Sequence, residues 1–140
     1  MNNNLKEIIV KAEIANLDEV NRFIENQLEE HDCSPKVQIQ IALAVEEIFV
    51  NVAHYAYKSE EGIVTIRTEI HEQPRAISIT FIDSGVPYNP LEKEDPDITL
   101  SAEEREIGGL GIFMVKQSMD DISYEYAGNR NRLTIIKKIK

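Results

Sequence analysis

Between Ile41 and Tyr57 apolar residues recur at Ile41, Val45, Ile48 and Val52. This three- and four-residue spacing stacks side chains into one buried stripe of an α-helix. A helix of this kind needs a second layer to cover its stripe, so the remaining chain must supply one. Glu47, Asn51 and His54 repeat the same spacing on a second stripe, which sets a carboxylate and a carboxamide one turn apart. Such a pair can hold a metal ion and a water together. It also fits a solvated helix face.

The flanking sequence predicts that covering layer. Leu5 to Ala12, with Ile8, Ile9 and Val10, reads as a first strand after a loose tail over residues 1–4. Asn16 and Glu19 have the spacing of a capping box. The helix they open runs to about Glu30, with Leu17, Val20, Phe23, Ile24 and Leu28 on one face and Asp18, Glu25, Glu29 and Glu30 outward. Ser34-Pro35 restarts the chain as cap and first helical residue, where proline's missing N–H does no harm. The central helix it launches is expected to run to about Tyr57.

Gly62 to Glu72 and Arg75 to Asp83 read as strands joined at Gln73-Pro74. Leu91 to Ile107 has no regular pattern and reads as a loop with one helical turn near Ser101 to Glu104. After Gly108-Gly-Leu-Gly comes a helix to about Met119. Two strands follow, Asp121 to Ala127 and Leu133 to Ile139, separated by a turn at Gly128-Asn129-Arg130. Strands in hairpins with grouped helices predict an α+β two-layer sandwich, a mixed and largely antiparallel sheet covered on one face by three helices.

Two further stretches carry chemistry. Asp83 continues the parity of Ile77, Ile79 and Phe81, which turns a carboxylate toward the apolar side, where a charge is costly without a partner. A buried carboxylate can accept from an exocyclic amine such as that of adenine, and Gly85 would let a backbone approach the ring closely. Asp-Ser-Gly also fits a plain turn. Gly108-Gly109-Leu110-Gly111 leading into Ile112 to Val115 looks like a helix N-terminus with free amides, suited to an anion. It lacks the Gly-Lys-Ser/Thr of a Walker loop.

In this order and at these separations, the three stretches resemble the motifs of GHKL ATP-binding domains, and within them the anti-sigma-factor serine kinases of RsbW type. The resemblance spans nearly the whole chain and implies a single domain over 1–140 with residues 91–107 as the nucleotide lid. It assigns Asn51 to magnesium, Glu47 to catalysis as general base, Asp83 to adenine, and Gly109, Leu110 and Gly111 to the triphosphate of ATP. It implies an attacking serine on a small anti-anti-sigma partner of STAS type, a sigma factor as competing client, and a homodimer. Kinases of this family often carry histidine four residues after the asparagine. Here Tyr55 stands there and His54 one place earlier. His54 is therefore open between a phosphate contact and a structural histidine, and a nucleotide-gated binding module without phosphotransfer is the alternative function. Arg105, close to the glycine turn, is open between a phosphate partner and an ion pair with Glu103 or Glu106.

Bulk properties bound these expectations. A chain of 140 residues can bury a core without disulfides, and Cys33, its single cysteine, reads as a small buried side chain. The N-terminus has no basic region followed by an apolar run, and Gln40, Glu46, Glu47 and Asn51 interrupt the longest apolar stretch. This predicts a soluble cytoplasmic protein. A net charge of −10 disfavours nucleic acid or an anionic membrane as partner and permits a basic protein.

Overall fold

The computed structural model describes residues 5–56, 62–72, 74–92 and 109–139. Five strands form one sheet, β1 (Leu5–Lys11), β2 (Ile63–His71), β3 (Ala76–Asp83), β4 (Asp121–Ala127) and β5 (Arg130–Lys138), in the order β1-β2-β3-β5-β4. The mixed sheet expected from sequence is in fact uniform, because each of the four described pairings is antiparallel. Among the described residues three α-helices accompany it, α1 (Leu17–Glu30), α2 (Pro35–Asn51) and α3 (Gly109–Ser118).

Strand alternation decides which face they cover. Val64, Ile66, Ile70, Ile77, Ile79, Phe81, Leu133 and Ile135 are buried on one side and belong to the same core cluster as Val20, Ile24 and Leu28 of α1. From α2 come Ile41, Val45, Ile48 and Phe49, all at 1 % exposure or less. The stripe that predicted α2 is thus the centre of the core, with Val52 packed at its edge. By length and composition Pro35–His54 is apolar enough to cross a membrane. Here Ile41, Val45, Ile48 and Phe49 face the sheet, while Ile39 and Leu43 are exposed. On the opposite face Leu5, Ile9 and Ile63 are exposed.

A polar contact between α1 and β2 lies inside the core. Thr68 Oγ1 donates to Gln27 Oε1 at 2.5 Å, and Gln27 Nε2 donates to the Phe23 carbonyl at 3.2 Å. The pair ties α1 to β2 while satisfying groups that would be costly to bury alone.

Helix ends test the capping expectations. Ser34 Oγ accepts from the Val37 amide at 3.3 Å with Pro35 at the first helical position, as expected. Asn16 does not cap α1. A 3₁₀ turn, Ile14–Asn16, precedes the helix, and the Asn16 backbone, at φ −91° and ψ 0°, is not in the extended region a cap needs. Its side-chain Nδ2 donates instead to the Lys11 carbonyl at 3.0 Å. At the other end of α1, Asp32 adopts φ 57°, and the amides of Asp32 and Cys33 return to the carbonyls of Glu29 and Leu28. That is a Schellman motif with aspartate in the left-handed position. It places Ser34 to start α2 and buries Cys33 beneath, whose thiol is pushed up from its ordinary pKa by that burial.

The central helix does not continue regularly to Tyr57. α2 ends at Asn51, and Val52–Ala56 winds as a π-turn, a local widening that shifts the phase of every later side chain. β5 begins at Arg130, three residues before the apolar alternation at Leu133. The turn that feeds it has positive φ at both Gly128 and Asn129, the geometry of a two-residue I′ hairpin. Tyr57, Gln73, the expected helical turn at Ser101 to Glu104, Arg105 and Gly108 lie outside the described residues. Of the segment 91–107, Leu91 and Glu92 are described, closing a 3₁₀ turn at Pro90–Glu92.

Candidate functional site

Asp83 is the last residue of β3, paired with Val64 on β2 and Asn131 on β5. The pairing puts its side chain on the covered face, where it is 5 % exposed. Its partners are local. The Gly85 amide donates to Asp83 Oδ1 at 2.9 Å, and Asn131 Nδ2 donates to the same oxygen at 2.9 Å. Among the described residues no hydrogen bond reaches Oδ2. Burial holds the carboxyl above its ordinary pKa, and the bonds from Asn131 and Gly85 offset part of that rise.

A cavity of about 30 Å³ opens beside it, lined by Asn51, Asp83, Tyr88, Tyr124 and Asn131 among apolar side chains that include Ile48, Phe81 and Leu133. A polar acceptor at the floor of an apolar cavity is the arrangement of a small-ligand site. The volume admits a water or two, less than a purine needs.

Glu47 and Gly111 meet elsewhere. Both line a groove of about 500 Å³ between α2 and α3, with Leu43, Ala44, Met114 and Val115 as its apolar part. A Cβ built at Gly111 would fall within the Glu47 carboxylate. Only glycine leaves that carboxylate where it stands. Asn51, one turn beyond Glu47 on α2, lines the Asp83 cavity instead. The last turn of α2 therefore reaches both spaces, Glu47 to one and Asn51 to the other.

The expected glycine turn is the start of α3 itself, since Gly109, Leu110 and Gly111 are its first three residues. The first four amides of a helix have no intrahelical acceptor, so this end presents N–H groups and positive dipole. Gly85 does not line the cavity, its amide being used by Asp83. His54, inside the π-turn, is exposed and lines neither space. Asn131, Tyr124 and Tyr88 were not singled out from sequence. The signal for Asn131 was the parity of Leu133 and Ile135, which, extended back across Arg132, reaches the core face at 131.

No cluster of three or more His, Cys, Asp or Glu side chains suited to a metal occurs among the described residues. Magnesium does not require one, because it keeps waters and takes most other ligands from phosphates. The Asn51 side-chain oxygen beside the cavity fits that donor set.

Comparison with known proteins bears on what the cavity is for. The model of the histidine kinase-like ATPase domain matches residues 10–137. The chain belongs to that family. Among its relatives, the anti-sigma F factor of Clostridium acetobutylicum is 28 % identical over 98 residues, which are 70 % of this chain and 67 % of that protein. The serine-protein kinase RsbW of Listeria monocytogenes is 30 % identical over 91 residues, 61 % of this chain and 57 % of the relative. The serine/threonine-protein kinase BtrW of Bordetella bronchiseptica is 22 % identical over 102 residues, 73 % of this chain and 71 % of that protein. A solved structure of the RsbU and RsbW domains of a Mycobacterium tuberculosis protein superposes with TM-score 0.68 at 13 % identity, covering 96 % of this chain and 32 % of that one. This likeness shows the histidine kinase-like ATPase fold.

A ligand amine accepted by the Asp83 carboxylate would favour its ionised form, so a nucleotide bound in that way would lower a pKa that burial has raised. Affinity is then full above the raised value and falls as pH drops through it. Titration calorimetry with ATP across the acid range should show this limb in the native protein and not in Asp83→Asn, whose profile keeps only the protonation of ATP itself. For the fold the sign is opposite. The unfolded chain releases the Asp83 proton first as pH rises, so stability is lost through that window, and Asp83→Asn should not be less stable at neutral pH.

Proposed function

We propose that this chain binds ATP with magnesium and acts as a serine kinase of anti-sigma type, phosphorylating a serine on a small anti-anti-sigma partner of STAS type. The observation that carries the reading is the buried Asp83 carboxylate, whose two hydrogen bonds both fall on Oδ1. Oδ2 accepts the adenine amine. The cavity holds only a water or two, so the ring enters by outward movement of its wall at Pro90.

Asn51 offers its side-chain oxygen to magnesium, and the N-terminal amides of α3, at Gly109, Leu110 and Gly111, cradle the phosphates. Residues 91–107 serve as the lid over them. Bound ATP supplies the phosphoryl group, and the metal neutralises its charge. Glu47 orients the partner's serine hydroxyl and takes its proton within hydrogen-bond reach. The α2–α3 groove gives that hydroxyl a route to Glu47 from outside. Phosphoserine on the partner then ends its hold on the kinase, which is free to take a sigma factor. We place the protein in the cytoplasm as a homodimer.

Support comes from the family and from relatives named anti-sigma F factor and serine-protein kinase RsbW. The test mixes the purified chain with STAS-type partner proteins from the same genome and γ-labelled ATP. Label on a partner serine, lost in Asp83→Asn, is the expected result. Partner binding that depends on ATP while no label transfers would replace kinase by a nucleotide-gated binding module. His54 standing one place before Tyr55 favours that second reading.

A further inference from the structure

Asn131 makes four described hydrogen bonds from one side chain that is 5 % exposed. Nδ2 donates to Asp83 Oδ1 and to the Val86 carbonyl, both at 2.9 Å. Oδ1 accepts from the Tyr88 amide at 3.1 Å and from the Tyr124 hydroxyl in a short contact. The Tyr88 amide can only donate and the Val86 carbonyl can only accept, so together they fix which way the Asn131 amide faces. The NH₂ group therefore always faces Asp83. We propose that Asn131 is a positioning residue for base recognition. It holds the Asp83 carboxylate with one oxygen occupied and one presented to the ring, and it ties the 86–88 loop, whose Tyr88 lines the same cavity, to the sheet.

The proposal rests on the nucleotide reading above and extends it to a residue outside its motifs. A carboxylate whose Oδ1 accepts from both the Gly85 amide and Asn131 Nδ2 does not rotate freely, so Oδ2 meets an incoming amine without reorganisation. Tyr124 acts one step further out. Its hydroxyl, kept protonated by burial that raises its pKa, locks the amide that locks the acid.

A structural role would weaken every nucleotide alike, whereas a positioning role acts only on bases that carry the amine. Inosine triphosphate replaces the amine with a carbonyl and is the discriminating probe. The native protein should prefer ATP over inosine triphosphate by roughly tenfold or more, the scale of a hydrogen bond to a charged group. Asn131→Asp keeps the shape and the acceptor toward Tyr88 and Tyr124 but sets a second carboxyl against Asp83, so the pair shares a proton. ATP affinity should then fall roughly tenfold. Inosine triphosphate should bind unchanged or more tightly, since a protonated Asp83 donates to its carbonyl.

Equal weakening of both nucleotides, or no change in either, overturns the proposal while leaving the nucleotide site intact. Absence of any preference in the native protein overturns both the proposal and the assignment of Asp83 to adenine. If Asn131→Asp does not fold by thermal melt, Tyr124→Phe gives the same comparison. It should lose preference for ATP severalfold with inosine triphosphate unaffected, and equal loss for both contradicts the proposal.

Discussion

Glu47→Gln should lower phosphotransfer to the partner serine by about 10²–10⁴-fold, the usual contribution of a positioned general base, with ATP affinity nearly unchanged. The separation of effects follows from geometry. Glu47 lines the α2–α3 groove, whereas Asn51 and Asp83 line a separate cavity. Glutamine keeps the size and polarity of the side chain beside Gly111, so the packing there survives. Single-turnover labelling under saturating ATP, with a parallel binding titration, checks both halves. An ATP affinity that falls together with the rate would show Glu47 serving the nucleotide and not the acceptor.

Phe49→Ala should destabilise the fold by about 3–5 kcal/mol, the range for emptying a buried aromatic position. Phe49 is fully buried on α2 and stands between Glu47 and Asn51 in sequence. Domains of this size are stable by only about 5–15 kcal/mol, so the variant sits near the threshold for folding. Urea unfolding monitored by circular dichroism measures the loss directly. Nucleotide at high concentration should recover part of it, because a ligand that binds only the folded state adds stability by mass action. A loss below about 1 kcal/mol would mean that the core collapses around the cavity more completely than close-packed interiors allow.

The fold and half of the site were legible because they rest on periodicity. Ile41, Val45 and Ile48 announce α2, the parity of Ile77, Ile79 and Phe81 delivers Asp83 to the core face, and Ser34-Pro35 marks a helix start that the structure reproduces. What escaped has no periodic signature. Arg130-Asn131-Arg132 contains no apolar residue, so β5 seemed to begin at Leu133 and its buried asparagine was overlooked. The I′ turn at Gly128-Asn129 was the available clue. It pairs Ala127 with Arg130 and hence Tyr126 with Asn131. Asn16 failed as a cap because a 3₁₀ turn took the chain out of the extended backbone a cap requires. The π-turn after Asn51 depends on tertiary packing and removed His54 from the stripe that the α-helical wheel assigned to it.

The most direct test of the central claim is titration calorimetry of the native protein with ATP, in buffer with magnesium and in buffer with a chelator, repeated with Asn51→Ala. The account predicts saturable binding that magnesium strengthens in the native protein and scarcely affects in the variant. A folded native protein that takes up no ATP under either condition would contradict the nucleotide site, and the kinase reading with it.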